Sequence, residues 1–299
     1  MSEPNEELLL VKQYIAREHL ALFYDIAPLY GSEPNLHSPW KTQVIYPTQK
    51  RYEVPEDILN IADVKEEDRK PIPHIPIIEI MGLPDSGKST LCKDLKGKYP
   101  KAVIKDESIK SYYPLTQNLD STNLLVGLDK LTNVFPAFQE SLMTKIGQLH
   151  GDVPIKSPAV LSRGANDILS FTLPLYLSLY VSHGDVDTDI FELVSSHFLK
   201  LLISQLSFID AVVLFDNDLE TASKRRIKNG STKYGKVVNP EIWPVIEKGY
   251  SWWLQYVFPI LRERYGTGLL IVNGRNHYKQ NNGIVNKYIG KILKDLPTV

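Results

Sequence analysis

The stretch that decides the fold covers residues 75–95 and reads IPIIEIMGLPDSGKSTLCKDL. A short apolar run, residues 75–81, leads directly into residues 82–89, which fit the pattern G-x-x-x-x-G-K-[ST]. The apolar positions that follow, Leu91 and Leu95, are spaced as one face of a helix. A buried strand, a glycine-rich turn and a helix therefore follow one another, which is the context in which this pattern binds phosphate.

Each residue type in this loop has a physical role in holding a nucleoside triphosphate. The glycines allow the backbone to curl so that its N–H groups face the phosphate oxygens. The ammonium of Lys88 can reach the β- and γ-phosphates, and the hydroxyl of Ser89 can ligate Mg²⁺. The pattern therefore predicts binding of ATP with Mg²⁺. The expected nucleotide-binding residues are Gly82, Leu83, Pro84, Asp85, Ser86, Gly87, Lys88, Ser89 and Thr90.

The remainder of the C-terminal part alternates between short apolar runs and helical stretches. Four further apolar runs cover residues 102–104, 159–161, 211–215 and 269–272. Each is too short for a helix and rich in β-branched residues, as buried parallel strands are. Helical patterns cover residues 121–149, 188–206, 219–228 and 241–265. Five strands separated by helices predict a three-layer α/β fold with a mostly parallel, five-stranded sheet.

The first 74 residues differ from the rest in their periodicity. Residues 7–30 carry apolar positions at mixed spacings of three and four, which predicts an amphipathic helix. Residues 31–73 contain many prolines and the mixed-charge run 63–70, a composition typical of a solvated linker. We therefore expect a helical extension and linker over residues 1–74, followed by a phosphate-binding domain over residues 75–299.

Composition restricts the partners and the compartment. The 34 Lys and Arg balance 35 Asp and Glu, so no global field attracts nucleic acid or an anionic membrane, and neither partner is expected. The single cysteine, Cys92, excludes an intramolecular disulfide and fits a reducing cytosol. The acidic N-terminus does not resemble a secretory signal, and the longest uncharged stretch, residues 168–183, is shorter than the ~20 apolar residues of a spanning helix. We expect a cytoplasmic protein. The sequence is compatible with a homodimer and does not determine the oligomeric state.

Outside the phosphate loop, residues 75–272 resemble the nucleoside and nucleotide kinases, in particular the thymidylate kinase and deoxynucleoside kinase group. The second strand ends in Asp106 and Glu107, where deoxynucleoside kinases carry the acid that accepts the proton of the substrate hydroxyl. The third strand ends in Ser162 and Arg163, which looks like the carboxylate-arginine step of that group. The resemblance implies a P-loop kinase that uses ATP to phosphorylate a small-molecule acceptor, a nucleoside or nucleotide.

A basic segment follows the fourth strand. Arg225 occupies the position at which these kinases hold an arginine over the phosphates, and Arg226 is its neighbour. Six cations fall within thirteen residues with no acid among them: Lys224, Arg225, Arg226, Lys228, Lys233 and Lys236. Gly230 and Gly235 make the segment flexible, so we interpret it as a mobile lid over the triphosphate. The alternative is a solvated basic loop or a weak RNA-binding patch.

Phosphoryl transfer consists mostly of positioning and of neutralising charge on the moving group, so cations must converge from several loops. The expected catalytic residues are Lys88, Asp106, Glu107, Arg163, Arg225 and Arg226. For Arg163 the alternative is a surface arginine that pairs with Asp167, four residues on. For Asp106 and Glu107 the alternative is the beginning of a surface helix.

Ser162 departs from the family pattern, because a serine cannot supply the negative charge of the carboxylate expected there. Asp216, at the end of the fourth strand, or Asp167 could compensate, and we expect Ser89 and Asp216 to be the magnesium ligands. The serine also favours a rival interpretation, an ATP-binding switch without productive transfer. A second rival is a kinase acting on nucleic-acid ends, for which the basic lid is the hint.

Two further sets of residues receive predictions. Asn273 and Gly274 follow the fifth strand, where related kinases approach the adenine, although a glycine after a strand is commonly a simple turn. Trp243, Trp252 and Trp253 lie in a helical stretch and are predicted to belong to the core rather than to a stacking platform.

Overall fold

The computed structural model describes residues 21–29, 32–36, 41–48, 76–82, 85–106, 158–172, 199, 202–203, 206–207, 209–230, 240, 243–276 and 278–294. Several predictions from the sequence fall outside these ranges. They concern the helix over residues 121–149, most of the helix over 188–206 and the boundary near residue 74. Among single residues, they concern Leu83, Pro84, Glu107, Lys233 and Lys236.

The described strands form one sheet in the order β1-β6-β5-β2-β4-β3. The strands are β1 (Gln43–Ile45), β2 (Ile77–Gly82), β3 (Val103–Asp106), β4 (Ala159–Ser162), β5 (Ala211–Asp216) and β6 (Gly268–Asn273). Strands β2 to β6 are parallel, whereas β1 pairs with β6 in the antiparallel direction. The mostly parallel α/β sheet predicted from the sequence is therefore confirmed.

The predicted number of five strands is wrong, because β1 adds a sixth from the N-terminal part of the chain. This strand is three residues long, and Gln43 and Val44 are exposed at the edge of the sheet. Such a segment has neither the length nor the continuous apolar character by which a buried strand is recognised. Its pairing with β6 is set by tertiary contacts.

The described helices are α1 (Lys88–Lys98), α2 (Ala165–Asp167), α3 (Leu219–Lys228), α4 (Trp243–Trp252), α5 (Phe258–Tyr265) and α6 (Tyr278–Lys294). Of these helices, α1 to α5 lie between parallel strands along the chain, and α6 follows β6. A π-helical turn, Ile168–Thr172, continues α2, and another, Trp253–Val257, joins α4 to α5. Within the described ranges no helix has both the length and the apolar character that crossing a bilayer requires.

Apolar side chains cover both faces of the sheet, which gives the three layers. Side chains alternate between the faces along each strand, so Ile78 and Ile80 of β2 pack with Leu91 of α1 on one face. On the other face Ile77 and Met81 belong to a core that includes Trp243, Trp252 and Trp253. These tryptophans are between 0% and 6% exposed, as predicted for core residues.

The described part of the N-terminal segment packs on the α4–α5 side. Leu22 and Ile26, in a helical turn over residues 21–26, are fully buried in the same core as Trp253. The indole Nε1–H of Trp252 donates to the carbonyl of Leu29 at 2.7 Å. Glu33 forms an ion pair with Lys248 of α4. These contacts hold residues 21–29 and 32–36 against the helix pair that borders the site described next.

Candidate phosphate-binding site

The loop between β2 and α1 has the backbone conformation that its glycines permit. Gly82 ends β2 with φ = 133°, and a Cβ atom at this position would lie 2.7 Å from the carbonyl oxygen of Phe215. Gly87 precedes α1 with φ = 101°, and Asp85 has a positive φ of 61°. Because positive φ suits glycine, the motif glycines are required where the chain turns.

Lys88 is 6% exposed, and its ammonium lies inside the curl of the loop. The Nζ atom donates to the carbonyl of Gly82 at 2.5 Å and to the hydroxyl of Ser86 at 3.1 Å. Ser89 and Thr90 follow Lys88 in the first turn of α1 and are exposed. A buried ammonium beside the N-terminus of an eleven-residue helix is a donor set that fits an anion such as a polyphosphate.

Asp167 binds the first residue of this loop through its carboxylate. Its Oδ1 atom accepts the backbone N–H of Gly82 at 3.0 Å and the hydroxyl of Tyr250 at 2.9 Å. Its Oδ2 atom lies 3.3 Å from NH1 of Arg163. The Asp167 side chain is 1% exposed, so this carboxylate belongs to the floor of the site.

Arg163 directly follows β4 in a left-handed conformation, with φ = 64°. The sequence analysis gave a surface arginine paired with Asp167 as the alternative to a catalytic role, and this pairing is present in the structure. Its side chain is nevertheless only 12% exposed, so it is not a surface arginine. The arrangement places the guanidinium next to the carboxylate that also holds Gly82, which brings two of the predicted elements together.

Glu79 was missed by the sequence analysis. It is fully buried within β2, and its carboxylate accepts N–H groups of Gly164, Asn166 and Asp167. Burial raises the pKa of Glu79 to about 7, although these donors act in the opposite direction. A lone acid inside an apolar strand was the available signal, because such a group must find partners when buried.

Tyr250 was also missed. The burial of its hydroxyl and the negative charge on Asp167 raise the pKa of Tyr250 well above its ordinary value. Tyr250 therefore stays neutral and acts as a hydrogen-bond donor to Asp167. It lies on α4, far from Asp167 in sequence, so no local pattern could have connected the two residues.

The two arginines of α3 reach the loop through protein acceptors. Arg225 NH2 donates to the carbonyl of Gly274 at 2.5 Å, and NH1 lies 3.5 Å from the carbonyl of Ser86. Burial lowers the pKa of Arg225. Arg226 NH1 pairs with Asp85 at 3.3 Å, and Asn229 donates to the same carboxylate. Helix α3 is thus attached both to the phosphate loop and to the turn after β6.

The carboxyl edge of the sheet carries the predicted acids. Asp216 ends β5 half-buried, and its carbonyl accepts the N–H of Gly274 at 2.5 Å. Asp106 ends β3 in register with Ser162 of β4, which is 2% exposed. Among the described residues no group of three or more His, Cys, Asp or Glu side chains is arranged to hold a metal ion. A magnesium ion here would need oxygen ligands from the phosphates, as is usual for this ion.

Two buried amides beside the turn after β6 have unused hydrogen-bonding capacity. Both polar atoms of the Asn217 side chain, directly after β5, are buried without a partner, and Oδ1 lies against Gly274. Asn281 donates to the carbonyl of Asn273 at 2.9 Å, while its Oδ1 atom has no partner. Because buried polar groups are normally satisfied, these two amides are exceptions among the described residues.

No protein-family model matches the sequence, and no curated protein matches it. The structure does match solved structures. Deoxyadenosine kinase from M. mycoides with bound dATP superposes with a TM-score of 0.50 at 17% identity, over 72% of this chain and 99% of that one. The chain has the fold of this kinase. The resemblance to deoxynucleoside kinases inferred from the sequence is therefore confirmed for the fold.

Two more structures of that enzyme match over the same shares of both chains. One holds the products dCMP and a flexible dCDP, with a TM-score of 0.47 and 14% identity. The other holds dCTP, with a TM-score of 0.46 and 20% identity.

Proposed function

We propose that the protein is a cytosolic P-loop kinase that transfers the γ-phosphoryl group of Mg·ATP to a nucleoside or nucleotide. The observation that carries the proposal is the buried ammonium of Lys88 at the N-terminus of α1, in a loop fixed at Gly82 by Asp167. This donor set provides a cation and aligned N–H groups for a polyphosphate. The fold shared with deoxyadenosine kinase supports a nucleoside-type acceptor.

Residues 82–90 hold the donor in this proposal. Lys88 neutralises the β- and γ-phosphates, and Ser89 with Asp216 provides oxygens for Mg²⁺. When bound, the ion neutralises charge on the phosphate oxygens. The donor base is proposed to lie at the turn after β6, at Asn273 and Gly274, as the resemblance to nucleoside kinases implies for the adenine.

The acceptor side is proposed on the residues predicted from the sequence. Asp106 or Glu107 orients the acceptor hydroxyl and accepts its proton, while Arg163 faces the phosphates from the end of β4. Arg163 is suited to this role because Asp167 holds its guanidinium next to the loop. Arg225 and Arg226 close the donor side from α3. A small-molecule acceptor reaches the site from the carboxyl edge, where ligands bind in open α/β sheets.

The direct test measures ADP release from Mg·ATP with a panel of nucleosides and nucleoside monophosphates. The proposal predicts that at least one acceptor stimulates ADP release well above the rate without acceptor, and that mass spectrometry detects the phosphorylated acceptor. The matched control is Lys88→Ala, which should lose the stimulation. A panel with no stimulated release, in a protein that binds ATP, would contradict the transfer reaction.

A second candidate is an ATP-binding switch without productive transfer. The observation that favours it is Ser162, which is buried at the carboxyl edge where the family pattern has a carboxylate. In that case ATP binds but no acceptor is phosphorylated. The acceptor panel separates the two candidates, because a switch changes conformation on binding ATP and leaves both the acceptor and the ADP signal unchanged.

A further inference from the structure

Glu79 is the one charged residue of β2, and it is completely buried on the sheet face that carries Ile77 and Met81. Isolating a carboxylate in an apolar core is costly unless hydrogen bonds compensate. An apolar residue at this position would continue the strand pattern of its neighbours. The presence of the acid therefore needs a reason beyond packing.

Both carboxylate oxygens of Glu79 are fully used by the turn that begins α2. Oε1 accepts the backbone N–H of Gly164 at 2.9 Å and that of Asp167 at 2.8 Å. Oε2 accepts the backbone N–H of Asn166 at 3.1 Å and its side-chain Nδ2–H at 2.8 Å. A Cβ atom on Gly164 would lie 2.7 Å from Glu79 Cδ, so the turn fits closely around the carboxylate.

The same turn carries the groups that support the phosphate loop. Asp167, whose N–H binds Glu79, places its own carboxylate on the N–H of Gly82 and on Arg163. Asn166 accepts the indole N–H of Trp253 at 2.9 Å, which fixes the turn from the helical side as well. A continuous set of hydrogen bonds therefore runs from Glu79 through Asp167 to Gly82 and Arg163.

We propose that Glu79 is a positioning residue for phosphate binding: it fixes the turn over residues 164–167, and through Asp167 it fixes Gly82 and Arg163. This inference rests on the proposed function, since the groups it orders are those assigned to the phosphates. Glu79 does not touch the ligand. It sets the geometry in which Lys88 and Arg163 meet the phosphates, as outer partners do for binding groups elsewhere.

The pH dependence of nucleotide affinity is a readout that a purely structural role of Glu79 would not change. The described charged and titratable groups that surround Glu79 are Asp167 on α2, Arg163 after β4 and Tyr250 on α4, and they face the same network. All four hydrogen bonds to Glu79 come from N–H donors, so a protonated carboxyl would turn an O–H toward a donor. Because the pKa of Glu79 is about 7, its carboxylate becomes protonated as pH falls through neutrality, and nucleotide affinity should decrease.

The test compares Glu79→Gln with the wild-type protein in calorimetric titrations with a non-hydrolysable Mg·ATP analogue between pH 6 and 8. We expect the variant to bind about tenfold more weakly at pH 8, the size typical of an outer-shell substitution. Phosphate itself titrates near pH 6, so the informative quantity is the ratio of the two affinities. That ratio should shrink toward lower pH, because only the wild type loses its carboxylate there.

The matched control is Ile78→Val, on the same strand but on the opposite face, which should leave the affinity unchanged. If Glu79→Gln does not fold, Asn166→Ala removes one of the four donors and should weaken the affinity in the same direction. A folded Glu79→Gln protein with wild-type affinity and the wild-type pH profile would overturn the inference.

A separate readout distinguishes this inference from the proposed function. If the wild-type protein binds no nucleoside triphosphate, the proposed function fails. Hydrogen exchange at the amides of Gly82 and Asp167 then tests the positioning role without any ligand. Glu79→Gln should accelerate exchange at both amides. Unchanged exchange at Gly82 would overturn the positioning role.

Discussion

Gly82 lies where the strand, the loop and the floor of the site meet. Its N–H binds Asp167, its carbonyl accepts Lys88, and its φ of 133° excludes other residues. The two contacts come from different elements, Asp167 from α2 and Lys88 from α1. The first glycine of the motif therefore serves the architecture of the site as well as the turn.

Gly82→Ala should destabilise the protein by about 2–4 kcal/mol, because a Cβ atom would collide with the backbone at Phe215 in a strained conformation. Gly97 of α1 is the matched control, since a Cβ atom added there would meet nothing within 4 Å apart from its chain neighbours and the backbone of its own helix. Gly97→Ala should stabilise the helix by about 0.5–1 kcal/mol. Urea unfolding measures both changes, and equal effects of the two substitutions would contradict this role of Gly82.

At the scale of elements, α3 is attached to the phosphate loop by two adjacent arginines with different partners. Arg225 binds main-chain carbonyls of the loop and of the turn after β6. Arg226 neutralises Asp85, an acid within the loop itself. An uncompensated carboxylate at this point would repel a triphosphate, so the pairing allows an acidic residue in an anion-binding loop.

Arg226→Ala should therefore weaken Mg·ATP binding severalfold by leaving Asp85 without its counter-ion. Asp85→Asn in the same protein should restore the affinity, because the repulsive charge is removed. Lys224→Ala is the matched control, since Lys224 is 73% exposed and pairs with Glu220. Calorimetry measures all four proteins. A double variant that binds as weakly as Arg226→Ala would show that Arg226 contacts the phosphates directly.

Much of the element level could be predicted from the sequence. Helix α3 occurs over the predicted residues, and each of the five predicted strands is present, because short apolar runs and helical periodicity are local properties. The edge strand β1 and the π-helical turn Trp253–Val257 were not predicted. Both depend on what packs against them, which a local pattern does not contain.

The candidate site also contains residues that could be predicted from the sequence and contacts that could not. The loop containing Lys88 was evident from its spacing, and Arg163 from its place after a strand. The pair of Arg163 with Asp167 was also evident from their spacing. The contacts of Asp167 with Gly82, Glu79 and Tyr250 were not, because these residues come together only through the sheet and α4. The sequence therefore identified the groups proposed to meet the ligand, but not the buried network that orders them.

At the scale of the whole molecule, Glu79 makes stability depend on pH. Its pKa is about 7 in the fold and near 4.5 when the chain is unfolded. The folded state therefore binds more protons between these values, and its stability decreases as pH rises from about 4.5 to about 7. The charged form is the one that burial penalises, so the contribution is lost at alkaline pH.

The expected size of this effect is of the order of 3 kcal/mol, because the pKa of Glu79 lies near 4.5 in the unfolded chain and at about 7 in the fold. Urea unfolding of the wild type and of Glu79→Gln at pH 5 and pH 8 isolates it, because other titrating groups are common to both. The free-energy difference between the two proteins should change with pH in favour of the wild type at pH 5. A difference that is constant with pH would contradict the assigned titration.

The central claim is that Lys88 and its loop bind a nucleoside triphosphate, and calorimetric titration with a non-hydrolysable Mg·ATP analogue tests it most directly. The wild-type protein should bind with a dissociation constant in the range of about 1 μM to 1 mM. Lys88→Ala should remove measurable binding, while Lys93→Ala, on the exposed side of α1, should bind as the wild type does. Equal binding by Lys88→Ala and the wild type, or no binding by the wild type, would contradict the claim.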